Sequence, residues 1–302
     1  MRIGIDIGGS HIGVGLIDSN GIIIKLQERY INEKDSISIE EFIIKEIVSI
    51  LNDWKYNENV IVDKIGIGAP GVIQRNEIVS SVNLGIKSFN ITNELKKYFP
   101  TADIEVMNDA KCAALAEKKW GSLKEFDDCI FLCLGTGVGG AAFFDGKLVK
   151  PKRFAGFEVG HMIIEKDGIP CKCGSNGCFE QYSSMKKFKK TIRAILNLND
   201  DVEGNKLREI INSNIDDDEV KKAIDEYVNY VSIGLANLVN ILEPQAICLG
   251  GGFVKYESIL FDKLKETFIN SKDIFYKENI PELVIAKYGN DAGMIGSTLI
   301  FD

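Results

Sequence analysis

Positive charge is in short supply in this chain. Its 302 residues carry 36 Lys and Arg against 44 Asp and Glu, a net charge of −8. A surface for nucleic acid or an anionic membrane needs a basic field, so neither partner is expected. Long apolar runs are also missing. One of the two longest stretches without a charged side chain, Cys129 to Phe144, is broken by several glycines. Asp6 falls where the apolar core of an export signal would lie, so a cytoplasmic location is expected. Seven cysteines are an odd number in a chain of this length, and their spacing is not a disulfide framework. No segment rich in Pro or Ser marks a linker. No G-x-x-x-x-G-K-[ST] loop is present.

What is present is a repeated glycine-bearing hairpin. IGIDIGGSHIGVGLIDSNGIII, from residue 3, reads as strand, turn, strand, turn, strand, and IFLCLGTGVGGAAFFDGKLV, from residue 130, repeats the pattern. Duplication at so long a period points to two like α/β domains rather than a solenoid of short repeats. GTGVGG at 135–140 is not a dinucleotide fingerprint, because its glycine spacing differs and a strand follows instead of a helix. Ser38 and Glu41 form a capping box before a helix. Further helices are expected at about 185–198, 204–213, 217–242 and 256–269, with strands at 64–72, 245–252 and 283–288.

Glycines after a strand let backbone N–H groups approach phosphate oxygens. Gly8, Gly9 and Ser10 form one such turn, and Gly135, Thr136 and Gly137 a second. A third, Gly250, Gly251 and Gly252, runs from strand to helix and suits an adenine or ribose lying on bare backbone. Each turn taken alone also fits a plain structural hairpin. Asp6 is a carboxylate in an apolar strand, costly unless it meets a cation, which makes it a candidate partner for Mg²⁺. Asn108-Asp109 ends one strand and opens an Ala-rich helix, a pairing that also fits a simple helix cap. His161, Cys171, Cys173 and Cys178 make H-x9-C-x-C-x4-C, a complete set for a structural Zn²⁺. The lysines at 186, 187, 189 and 190 read as a solvated helix face.

DIGGS, GTGVGG and LGGG together resemble the two phosphate motifs and the adenosine motif of the actin/hexokinase-like (ribonuclease H-like) ATPase fold. More narrowly, the whole chain resembles the ROK family of repressors and sugar kinases. VMNDAKCAALAE resembles the segment that carries the family's catalytic Asp, and FEVGHMIIEKDGIPCKCGSNGCFEQY its zinc signature. The resemblance implies two lobes of βββαβαβα type around a central cleft. Residues 1–109 with a C-terminal helix at about 290–302 would form one lobe, and 110–289 with a zinc loop at 156–182 the other. It implies an ATP- and Mg²⁺-dependent kinase for a hexose, with Asp109 as base. An aspartate at a helix N-terminus is expected to stay ionised for that task. Gly68, Asn83, Asn108, Glu158, His161 and Glu180 would be sugar ligands. Glucose is the first expectation, followed by N-acetylmannosamine, fructose and allose. Ile86 and Phe157 depart from the glucokinase pattern, which often has Trp and Gly there. A homodimer is typical of the family. Its sugar-sensing regulators carry a helix-turn-helix before the first phosphate motif, which here starts at residue 3, so the kinase is expected over the regulator.

Overall fold

In a computed structural model, which describes residues 1–31, 37–151 and 156–302, strand β1 (Arg2–Ile7) turns Ile3, Ile5 and Ile7 to one face, where each is fully buried. Gly4 and Asp6 fall on the other face, as a period of two requires. β2 (His11–Ile17) pairs antiparallel with β1, and β3 (Ile23–Tyr30) antiparallel with β2. Asp18 closes the second turn by accepting from the N–H groups of Asn20 and Ile22, both at 2.8 Å. Helix α1 (Ile39–Asn57) begins at Ser38, whose hydroxyl accepts from Glu41 N, and buries Ile43, Ile47, Ile50, Leu51 and Trp54. β4 (Lys64–Ala69) follows, then a small hairpin of β5 (Val72–Gln74) and β6 (Glu77–Ser80), α2 (Ile91–Lys96), β7 (Asp103–Asn108) and α3 (Asp109–Trp120). The sheet order is β3-β2-β1-β4-β7, with β1, β4 and β7 parallel.

The second sheet repeats this plan. β8 (Cys129–Leu134), β9 (Val138–Phe144) and β10 (Lys147–Leu148) form the meander. Four helices follow: α4 (Glu180–Ser183), α5 (Met185–Ile195), α6 (Gly204–Ser213) and α7 (Asp218–Leu242). β11 (Ala246–Gly250), α8 (Glu257–Ile269) and β12 (Glu282–Ile285) then complete the order β10-β9-β8-β11-β12, again with the last three parallel. The duplicated α/β architecture expected from the two glycine hairpins is present, although the helix after β12 belongs to the first unit.

The chain divides into two units: Met1–Glu125 with Leu148–Gly156 and Asn290–Asp302, and Phe126–Lys147 with Phe157–Gly289. The first unit thus runs past 109 to include α3, because α3 packs on the C-terminal helix Ala292–Ser297. That helix rests directly on backbone at three glycines. A β-carbon on Gly4 would lie 2.2 Å from Met294 O, one on Gly66 1.9 Å from Ser297 O, and one on Gly296 1.6 Å from Cys112 O. Such distances leave no room for any side chain, so these glycines set how closely helix, sheet and α3 approach.

Gly296→Val is accordingly expected to cost about 3 kcal/mol or more, through overpacking against backbone that cannot yield. Urea denaturation followed by circular dichroism checks this. A loss below about 1 kcal/mol would show that the seam is looser than described.

Candidate functional site

In the first unit, parallel register carries the candidate residues to the same ends of adjacent strands. Asp6 pairs with Gly68, and Ala69 with Asn108. In open α/β sheets, ligands bind beyond the carboxyl ends of such strands. Asn108 caps α3: its Oδ1 accepts from Ala110 N at 3.1 Å and Lys111 N at 3.3 Å, while its Nδ2 donates to Gly71 O at 3.3 Å. Such a cap stabilises by about 1 kcal/mol, so the cap reading of Asn108 is realised. Asp109 Oδ1 takes a further 2.9 Å bond from Ala110 N. Gly8, Gly9 and Ser10 turn between β1 and β2, with Gly8 N donating to His11 O at 2.8 Å. Asn83 is exposed in a turn whose carbonyl lies 4.0 Å from where a Gly9 β-carbon would stand. Ile86, by contrast, is only 2 % exposed and belongs to the core.

The absence of a side chain at Gly68 and Gly293 makes room for the Asp6 carboxylate. A β-carbon on either would come within 3.3 and 2.7 Å of its Oδ1. Burial, and then the charges of Asp109 and Asp291, push Asp6 up to about 7. Burial also raises Asp109, against the pull of the Ala110 N–H. The helix N-terminus therefore does not by itself keep Asp109 in the ordinary carboxylate range. Burial raises Asp291 too, with Glu28 adding to it. Asp6, with the charges of Asp109 and Asp291 acting on it, offers hard oxygen donors of the kind Mg²⁺ takes. Nothing in the local sequence marks Asp291. It sits one residue before a helix, where an aspartate looks like an ordinary cap, and only the fold brings its charge to bear on Asp6.

In the second unit, Gly135, Thr136 and Gly137 turn between β8 and β9, and Gly250 pairs with Cys133 on the neighbouring strand. Gly135 N donates to Gly137 O at 2.9 Å, and open space surrounds the position of a Gly135 β-carbon. Gly251 has φ +69° and sits against Cys133 and Leu134, so packing and backbone conformation both call for glycine there. A cavity of about 800 Å³ opens beside these turns, lined by Gly135, Thr136 and Gly252 and by Lys186, Lys190 and Lys255. The lysines of α5, which read in sequence as a solvated face, partly face this cavity. Spacing along a helix gives the face but not what lies opposite it.

The four metal-ligand candidates converge, with ligand atoms all within 4.8 Å of one another. Cys173 and Cys178 sulfurs are 3.6 Å apart, and Cys171 Sγ is 3.8 Å from His161 Nδ1. A tetrahedral site with metal–sulfur bonds of ~2.3 Å separates its sulfurs by about 3.8 Å. The Ser175 N–H pulls Cys173 down to about 7, while burial pushes Cys178 up to about 12. Gly177, at φ +76°, turns the chain against Glu165 O, where no side chain fits. Glu180, two residues after Cys178, accepts from Val138 N at 2.9 Å and lies where a Gly137 side chain would be. The ligand loop is thus tied to the second glycine hairpin. Glu158 is exposed at the start of the turn that carries His161. Phe157 before it has φ +68°, a backbone state that glycine adopts freely and a bulky residue rarely does.

Twin sheets of this order with glycine hairpins define an actin/hexokinase-like α/β protein. The chain belongs to the ROK family, whose model matches residues 2–302. It is 29% identical over 307 residues to a glucokinase of Halalkalibacterium halodurans, covering 97% of this chain and 92% of that one. It is 25% identical over 305 residues to the xylose repressor of Bacillus subtilis, covering 99% of this chain and 77% of the repressor. It superposes on the crystal structure of a ROK family glucokinase from Streptomyces griseus in complex with glucose and AMPPNP, with a TM-score of 0.83 and 26% identity, over 99% of this chain and 98% of that one. Among the described residues, no helix is long and apolar enough to cross a membrane.

A carboxyl raised on folding stabilises below its unfolded value, and that stabilisation is lost as pH rises through the folded one. For Asp6 the window runs from about pH 4 to about 7. In metal-free buffer, Asp6→Asn should gain stability relative to the parent as pH rises from 5 to 8. Urea midpoints measure this, and a difference that does not change with pH would contradict it.

Proposed function

We propose that the protein is a sugar kinase that moves the terminal phosphoryl group of ATP to a hydroxyl of a hexose, glucose first, with Asp109 as the base. The carrying observation is the position of Asp109. It opens α3 beside the strand ends that hold Asp6 and Gly68, capped by Asn108 and raised by burial. Phosphoryl transfer has a loose transition state, so orientation of the hydroxyl outweighs strength of the base. Asp109 accepts the hydroxyl proton as the oxygen–phosphorus bond forms and the bond to ADP breaks. A carboxyl shifted toward neutrality by burial is better matched to that proton than one at its ordinary value.

In this reading Asp6 and Asp291 hold Mg²⁺, which neutralises phosphate charge when bound. The glycine hairpins 8–10 and 135–137 give N–H groups to the phosphates, and 250–252 borders the nucleoside. Asn83, Asn108, Glu158, His161 and Glu180 address sugar hydroxyls. Nδ1 of His161 faces Cys171 Sγ, so Nε2 is the nitrogen left for a hydroxyl. Glu180 has one oxygen committed to Val138 N, which orients the other. The Cys and His cluster takes Zn²⁺, whose role is to fix the loop that presents Glu158 and Glu180. A sugar sensor needs only the sugar groups. The buried base and the two phosphate turns favour catalysis.

A coupled ADP-release assay over hexoses and N-acetylhexosamines is expected to give turnover with glucose. Asp109→Ala should lower kcat by about 10³-fold or more while sugar affinity stays within about tenfold. Retained turnover in the variant would sink the base assignment. Metal analysis of protein purified without chelator should find one zinc per chain. Stripping it should raise KM for the sugar and expose the 156–182 loop to protease. Protein that is fully active and zinc-free would refute the metal's role.

A further inference from the structure

The cavity beside Gly135 and Gly252 differs from what a purine slot needs. Such slots are walled mainly by apolar and aromatic faces, with a few fixed polar groups to read the base. Here the apolar lining residue Met185 packs on Gly252, its Cβ and Cγ 3.5 Å from the position of a glycine β-carbon. The aromatic lining residue Tyr256 is only 4 % exposed, and its ring is set edge-on to Phe188 at 5.9 Å. Neither offers an open face for a base to stack on. The Tyr256 hydroxyl is buried with no hydrogen-bond partner among the described residues.

Charge dominates the rest of the wall. Lys189 and Arg193 are both held by Glu203. Lys186, Lys190 and Lys255 face the same cavity and form no ion pair among the described residues. Lys186 also anchors the phosphate turn through its backbone, its N–H donating to Gly135 O at 3.2 Å. Five cations line the cavity against two carboxylates, Asp200 and Glu203, and that excess of positive charge attracts a polyanion far more than a neutral ring system.

Resting on the kinase reading, we propose that this cavity selects its phosphoryl donor by phosphate charge and not by base, so that the donor class is nucleoside triphosphates in general. Lys186, Lys190 and Lys255 hold the polyphosphate and ribose side of the donor. The base lies toward solvent with little of its edge read.

The test compares donors at saturating sugar. ATP, GTP, CTP and UTP should give kcat/KM values within roughly thirtyfold of one another, since a site that does not hydrogen-bond a base cannot reject the wrong one strongly. Tripolyphosphate should compete with ATP, and Lys190→Ala with Lys255→Ala should raise KM for ATP and GTP by the same factor. ATP preferred over every other nucleotide by more than that margin would overturn the proposal, as would adenosine binding as tightly as ATP. Should no donor support turnover, the kinase reading falls on its own. Dissociation constants of ATP, GTP, tripolyphosphate and adenosine by calorimetry then decide donor selection by the same margin.

Discussion

The first unit is organised around one electrostatic constraint: carboxylates brought together where burial penalises their charge. Asp6 reaches this place because β1 alternates buried isoleucines with Gly4 and Asp6. Gly68 and Gly293 leave room for its carboxylate, and Gly4, Gly66 and Gly296 let the C-terminal helix and α3 close on the sheet. Asp109 and Asp291 arrive from the ends of that same packing. The result is an Asp6 held at about 7 by burial and by the charges of Asp109 and Asp291, with those two carboxyls themselves shifted upward. In the function proposed above, a divalent cation carried in with phosphate meets that charge, and burial holds Asp109 above the ordinary carboxylate value, in the direction a base needs.

The second unit repeats the topology with opposite chemistry. Where β1 carries Asp6 next to its last residue, β8 carries Cys133, and the groups on offer at the turn that follows are N–H donors and lysines. Its metal-ligand loop is not an isolated appendage. Glu180 bonds the backbone of β9 directly after the glycine turn, so the geometry of the Cys and His cluster bears on that turn. A metal held by this cluster, as proposed above, would therefore act on that turn as well as on the loop.

Much of this was legible in the sequence because it is local. A Gly-rich hairpin, a cap at Asn108-Asp109 and an H-x9-C-x-C-x4-C spacing each declare themselves within a short window, and the duplication of the first gives the twin sheets. What stayed hidden depends on contacts between distant segments. Asp291 matters through Asp6, nearly the whole chain away. The α5 lysines matter through the turn at Gly135. The raised state of Asp109 comes from burial that no cap motif reveals. The first unit extends through α3 because Gly296 meets Cys112 backbone to backbone, and a lone glycine in a helix does not announce its partner. The departure at Phe157 gains a physical meaning only with its φ of +68°.

The most direct test of this account is a carboxyl ¹³C NMR titration of aspartate-labelled protein, with Asp6 assigned through Asp6→Asn. In metal-free buffer the Asp6 resonance should titrate with a midpoint of about 7, and addition of magnesium nucleotide should move that midpoint down by about two units or more. A midpoint in the ordinary carboxylate range in the free protein, unchanged by the nucleotide, would contradict it.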